Sequence, residues 1–316
     1  MSSSKNFSGY RLNSEVKNPP SALQKASQIG TLEFYNSDFK VREEKNAVVV
    51  LTFGTTLKET REKNIDSIVR EIQIAHPDKK IFSAFTSHIV IKHIAEREGS
   101  CKYSTPEKTL DKLLQEGYTG VALVSLALIP GIEYKYNVEI FHEYKFKFKK
   151  ISLSTPLMYW QGQANQSDDI SEVLEVLYFP KTEKDSAIFL MTHGTPDPSN
   201  AYYSVMQEKI NLRRNDIFIY TVEGWPSLED CIKKIENTSV KKIFLMPFTL
   251  AAGNHVVNDM IGEKKNSHRE ILKSHGFEVE IFLKGLGENK KIREIYLERA
   301  EQAIKFLTEE KKIYVE

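Results

Sequence analysis

The chain has 316 residues, and its 44 Lys and Arg stand against 43 Asp and Glu for a formal charge of +1. That balance excludes the dominant basic face that nucleic acid or an anionic membrane surface would need, and no apolar run approaches the roughly 18 residues that span a bilayer. Cys101 and Cys231 are the two cysteines, far apart and outside any CxxC pair, which argues against a zinc knuckle or a disulfide framework.

In chain order, residues 1–45 are rich in Ser, Asn, Lys and Glu, contain Pro19-Pro20 and keep no sustained period. They read as a polar, partly disordered extension with at most a helical turn near 22–27. The first residues show no charged region followed by an apolar one, which speaks against an uncleaved signal peptide and leaves a removed one open. From residue 47 the texture changes: AVVVLTFGTT predicts a buried strand ending in a Gly-Thr-Thr loop, and the apolar spacing over 59–75 predicts a helix. Strand-like 80–86, helices over 87–98 and 105–115, a strand over 120–126, a helix over 133–149 and a strand over 150–153 complete a first α/β domain, residues 46–180.

The second half, residues 181–316, follows the same plan. Strands are predicted at 187–192, 216–222, 241–246 and 278–283, with helices at 199–212, 227–235, 264–275 and 289–307 between and after them. The two halves also match in detail. LTFGTT (51–56) aligns with MTHGTP (191–196), and LALIPG (126–131) with FTLAAG (248–253), the signature of a duplicated α/β unit. The expected fold is therefore two similar domains, each a four-stranded parallel sheet flanked by helices, with the carboxyl-end loops facing each other across a cleft. The position equivalent to His193 is Phe53, so the chemistry is expected on the second half and the walls on the first.

Candidate chemistry gathers where apolar strands stop. Of eight histidines, His76, His88, His93, His142 and His275 fall in helical or polar surroundings suited to solvated or partly buried imidazoles. His193 and His255 each follow an apolar strand beside glycine or small residues that let a ligand approach the backbone. Glu223 ends the strand of IYTVEG, placed either to project into the cleft or to cap the helix behind it. Two imidazoles and one carboxylate suit late first-row divalent ions and leave positions open for exchange; with no HExxH spacing, such a site has to be assembled from three strand ends. Thr55, Thr56 and Ser87 follow first-half strands, where they either bind acidic groups of a ligand or cap helices.

His193, Glu223 and His255 stand in HGTPDPSNAYY, TVEGWPSLED and MPFTLAAGNHVVNDMIGE. With TFGTTLKETREKNI, FSAFTSHIV, GIEY and LKGLGENKKI, these stretches resemble the blocks of the anaerobic sirohydrochlorin cobaltochelatases, the class II chelatases of cobalamin synthesis, over about 47–307. The resemblance implies a two-domain chelatase without an organic cofactor that takes a tetrapyrrole and a divalent ion, Co²⁺ first and Ni²⁺ or Fe²⁺ as further candidates. In it, His193 and His255 bind metal and accept pyrrole protons while Glu223 completes the site. A homo-oligomer and a cytoplasmic location, or export with a signal peptide removed, belong to the same expectation. The chain departs from the family pattern at Ala127, Thr249, Asn254 and His268, which keeps two alternatives in view: a tetrapyrrole or haem carrier, and a paralogous chelatase working on haem-type rings with Fe²⁺.

Overall fold

The computed structural model describes residues 12–13, 15–163, 166–253, 256–262 and 265–308. Among the described residues, nine strands form two sheets. The first contains β1 (Leu32–Tyr35), β2 (Asn46–Thr52), β3 (Lys80–Phe85), β4 (Gly120–Ser125) and β5 (Lys150–Leu153) in the order β1-β5-β4-β2-β3. The second contains β6 (Ser186–Thr192), β7 (Ile217–Thr221), β8 (Lys242–Pro247) and β9 (Glu278–Ile281) in the order β7-β6-β8-β9. Read from the other edge, β3-β2-β4-β5 has the same order as β7-β6-β8-β9, so the repeat seen in sequence is a repeat of topology.

The central strands are apolar throughout because both faces are covered. Val48 to Leu51 in β2 and Ala187 to Phe189 in β6 have no measurable exposure, the pattern of parallel strands sandwiched between helices. Main-chain bonds beyond the ladders repeat as well. Leu126 N–H donates to Leu51 C=O at 2.9 Å and Phe248 N–H to Met191 C=O at 2.6 Å. Thr86 N–H donates to Thr52 C=O at 2.9 Å, and Val222 N–H to Thr192 C=O at 3.1 Å.

Two features differ from the expectation. The first sheet has a fifth strand, β1, drawn from the segment read as a partly disordered extension, in which the expected helical turn is present at Ser21–Ala26. The strand pairs antiparallel with β5, Leu32 opposite Leu153 and Tyr35 opposite Lys150. Four residues with Glu33 facing outward are too few to show a period, and what holds the strand is tertiary: Leu32 is buried and Phe34 meets Phe146 edge-on at 5.0 Å.

The second feature is the course of the last helix, Lys290–Thr308, which returns from the second half to pack on β4 and β5 of the first sheet. There the Ser152 hydroxyl donates to Ala303 C=O at 2.7 Å, Lys150 Nζ to Leu307 C=O at 3.0 Å, and the Tyr296 hydroxyl to Leu126 C=O at 2.9 Å. Arg299 of this helix meets Asp169 at 3.0 Å, both with under 2% of the side chain exposed. Asp169 opens a helix, Asp169–Val176, that was not among the predicted elements. One hydrophobic core accordingly runs through both halves, joining Val48, Val50 and Ile68 to Ile188, Leu190 and Tyr296.

Candidate active site

The carboxyl ends of β6 and β7 lie side by side because Thr192 and Thr221 are register partners. Pairing continues past the ladder, with Glu223 N–H donating to His193 C=O at 2.8 Å. The two candidate ligands are thus tied through their main chains, and His193 Nδ1 lies 4.0 Å from Glu223 Oε2. Their side chains are 55% and 63% exposed, which suits ligands that must take up and release an ion.

Local sequence explains the close approach. Gly194 sits at φ +77°, and a Cβ there would stand 2.8 Å from both Glu223 O and Thr221 Cβ, so a side chain at 194 would push the two strand ends apart. Asn200 ties the loops from the outside: its Oδ1 accepts from Thr195 N–H at 3.2 Å and its Nδ2 donates to Trp225 C=O at 2.7 Å. The helix after Glu223 is capped by Ser227 in a reciprocal arrangement with Asp230, so capping of that helix does not occupy Glu223.

His255 and Asn254 lie outside the described residues. Among the described residues, no group of three or more His, Cys, Asp or Glu is placed to hold a metal, and His193 with Glu223 is the pair the structure brings together. On either side of position 255 the backbone follows the repeat. Gly253 N–H donates to Ala251 C=O at 2.8 Å and Val257 N–H to Gly253 C=O at 3.0 Å, as Gly131 N–H does to Ile129 C=O at 2.8 Å and Lys135 N–H to Gly131 C=O at 2.9 Å. In that alignment, position 255 corresponds to Glu133.

Glu133 is the residue the sequence reading missed. It lies in the first turn of the helix Ile132–Tyr144. Burial raises its carboxyl from the ordinary 4.5 to about 7, against the opposing pull of the Thr86 hydroxyl, the Phe53 N–H and the nearby His193 imidazole. A carboxyl that titrates near neutrality beside an imidazole is a competent general base. The signal was present in GIEY: carrying the repeat two residues past Gly131 and Gly253 sets Glu133 opposite His255.

The first-half hydroxyls have local duties. Ser87 caps the helix His88–Glu98, accepting from Val90 N–H at 3.2 Å. Thr55 is buried and accepts from Leu57 N–H at 3.4 Å; a Cβ on Gly253 would come within 3.0 Å of its hydroxyl, so the Thr55 loop abuts the loop before position 255. Thr56 accepts from Arg97 at 3.2 Å. Among the other departures, Ala127 is buried and the Thr249 hydroxyl donates to Ala251 C=O at 3.2 Å. His268 is 2.9 Å from the buried Tyr220 hydroxyl and edge-on to its ring. Burial holds its pKa below the ordinary histidine value, and the imidazole serves the core.

A family model described as cobalt chelatase (CbiK) matches residues 46–305. The chain belongs to that family. The match starts at the first residue of β2 and runs into the last helix, so β2 to β9 lie within it and β1 lies before it. Two curated relatives bear out the assignment of a metal chelatase. The sirohydrochlorin cobaltochelatase of Salmonella typhimurium is 30% identical over 268 residues, covering 84% of this chain and 99% of its own length. Sirohydrochlorin cobaltochelatase CbiKC of Nitratidesulfovibrio vulgaris is 26% identical over 268 residues, covering 83% of this chain and 92% of its own. Among solved structures, SirB from Bacillus subtilis with Fe³⁺ shares the fold at a TM-score of 0.55 and 15% identity, over 82% of this chain and 96% of that one. No helix among the described residues of this chelatase is long and apolar enough to cross a membrane.

Proposed function

We propose that the chain inserts Co²⁺ into sirohydrochlorin in anaerobic cobalamin synthesis, with His193, Glu223 and His255 holding the incoming ion. The observation that carries this reading is the His193–Glu223 pair, tied by its main chain and open to solvent at the carboxyl ends of β6 and β7, in a chain similar to two curated proteins named for that reaction. Insertion exchanges two pyrrole N–H protons for one M²⁺, so two proton acceptors must lie near the ring. Glu133 and position 255, equivalent in the duplication, supply one base from each half. Imidazole and carboxylate ligands at an exposed site release the ion readily, and tighter sulfur ligation would retain it.

Ligand type orders affinities along the general divalent series and leaves Ni²⁺ and Fe²⁺ as acceptable ions in vitro. Metal is substrate here, and no organic cofactor enters the scheme. Cys101 and Cys231 are both free thiols, which fits action in the reducing cytoplasm. Anaerobic assays offering Co²⁺, Ni²⁺ and Fe²⁺ against sirohydrochlorin and protoporphyrin test the reading: cobalt insertion into sirohydrochlorin at catalytic protein levels is expected. Stoichiometric ring binding without turnover would favour a carrier instead.

A further inference from the structure

Five of the large apolar side chains left open to solvent lie in the segments that follow strand carboxyl ends. Phe53 follows β2, Ile89 follows β3, Ile132 follows β4, and Val222 and Trp225 follow β7; Trp225 is 62% exposed and Ile89 68%. Because Thr52 pairs with Phe85 and Thr192 with Thr221, Ile89 and Trp225 hold the same place in the two repeats, four residues beyond the partner. The duplication has kept a large apolar side chain there in both halves while changing its neighbours.

Trp225 is presented on a fixed loop. Its carbonyl accepts from Asn200 Nδ2 at 2.7 Å, and Thr221 N–H donates to Pro226 C=O at 2.7 Å, closing the turn. A Cβ on Gly224 would stand 2.6 Å from Asn200 Oδ1, so the turn is packed against the loop that follows His193. An exposed indole two residues from a metal ligand suits an occupant with a flat, polarisable face that brings its centre to that ion.

Resting on the functional reading above, we infer that Trp225 positions the substrate, its indole lying against one face of the tetrapyrrole ring so that the ring centre meets the ion held by His193 and Glu223. The carboxylates at the ring's rim stay in solvent, and the apolar residues of the first half bound the other side.

The test is steady-state insertion of Co²⁺ into sirohydrochlorin by wild type, Trp225→Ala and Trp225→Phe, with each substrate varied in turn. Trp225→Ala is expected to raise KM for the ring about tenfold, equivalent to about 1.4 kcal/mol, with the loss falling on KM for the ring rather than on kcat or on KM for Co²⁺. Trp225→Phe keeps a flat face and should recover most of it. An unchanged ring KM in Trp225→Ala, or equal rises for ring and metal, overturns the inference. Absence of insertion by wild type would sink the functional reading instead; absorbance titration of metal-free sirohydrochlorin then still decides, because equal affinity of wild type and Trp225→Ala overturns the role of the indole.

Discussion

The Thr86 hydroxyl donates to the Glu133 carboxylate at 3.3 Å, yet burial outweighs this bond and the carboxyl titrates near 7 in place of 4.5. With a folded value above the unfolded one, the native state keeps a proton that the unfolded chain has released. The contribution to stability is fully present below about pH 4.5 and is lost as pH rises through about 7. Glu133→Gln removes that loss. Thermal melts should show the variant gaining on wild type between those values and level above them, while turnover falls by about 10²-fold or more for want of the base. A glutamine variant less stable than wild type at pH 8 contradicts the assignment.

The same titration predicts the wild-type pH profile. A base must be unprotonated to accept a pyrrole proton, so kcat/KM should climb as pH rises through about 7, the value to which burial brings Glu133. That limb should be missing from the residual activity of Glu133→Gln. An identical limb in both enzymes would assign the titration to another group.

Gly194 and Gly276 both have positive φ, +77° and +88°, but differ in surroundings: a Cβ at 194 meets Glu223 and Thr221 at 2.8 Å, whereas at 276 nothing lies within 4 Å. Gly276→Ala should cost only backbone strain, about 1–2 kcal/mol, and leave turnover alone. Gly194→Ala adds the clash, so it should cost more and also weaken Co²⁺ binding by separating His193 from Glu223. Equal effects of the two substitutions on metal titrations would show that the main-chain tie between those residues is unimportant.

Asp169 accepts from Tyr159 N–H at 2.9 Å and Trp160 N–H at 2.8 Å besides pairing with Arg299. Removing Asp169 leaves the buried Arg299 with the longer carboxylate contact to Glu172 at 3.9 Å, so Asp169→Ala should destabilise by about 3 kcal/mol. Since the helix bearing Arg299 packs on the first sheet and follows the second in sequence, unfolding in urea should remain one transition followed by both tyrosine and amide signals. Two separated transitions would contradict the shared core.

Much of this was legible in the sequence because the central strands are buried on both faces and read as uninterrupted apolar runs, AVVVL and AIFLM, each ending on a glycine loop. His193 and Glu223 stood out for the same reason, as polar residues that end such runs. What escaped depends on contacts remote in sequence. β1 is held by Leu153 and Phe146, more than 100 positions away, and the helix Lys290–Thr308 shows an apolar stripe that says nothing about which sheet it covers. Glu133 escaped because a glutamate in the first turn of a helix is ordinary. Its burial, and not its identity, makes it chemical. Ser87 could be read as ligand or cap, and the cap is visible only in the bond from Val90 N–H.

The deciding measurement is the anaerobic rate of Co²⁺ insertion into sirohydrochlorin by wild type and His193→Ala, with circular dichroism confirming that both are folded. The His193 side chain is 55% exposed at the end of β6, so the variant should keep the wild-type fold while losing most turnover and binding Co²⁺ more weakly. A folded His193→Ala that inserts cobalt at the wild-type rate would contradict the claim that the His193–Glu223 pair delivers the metal.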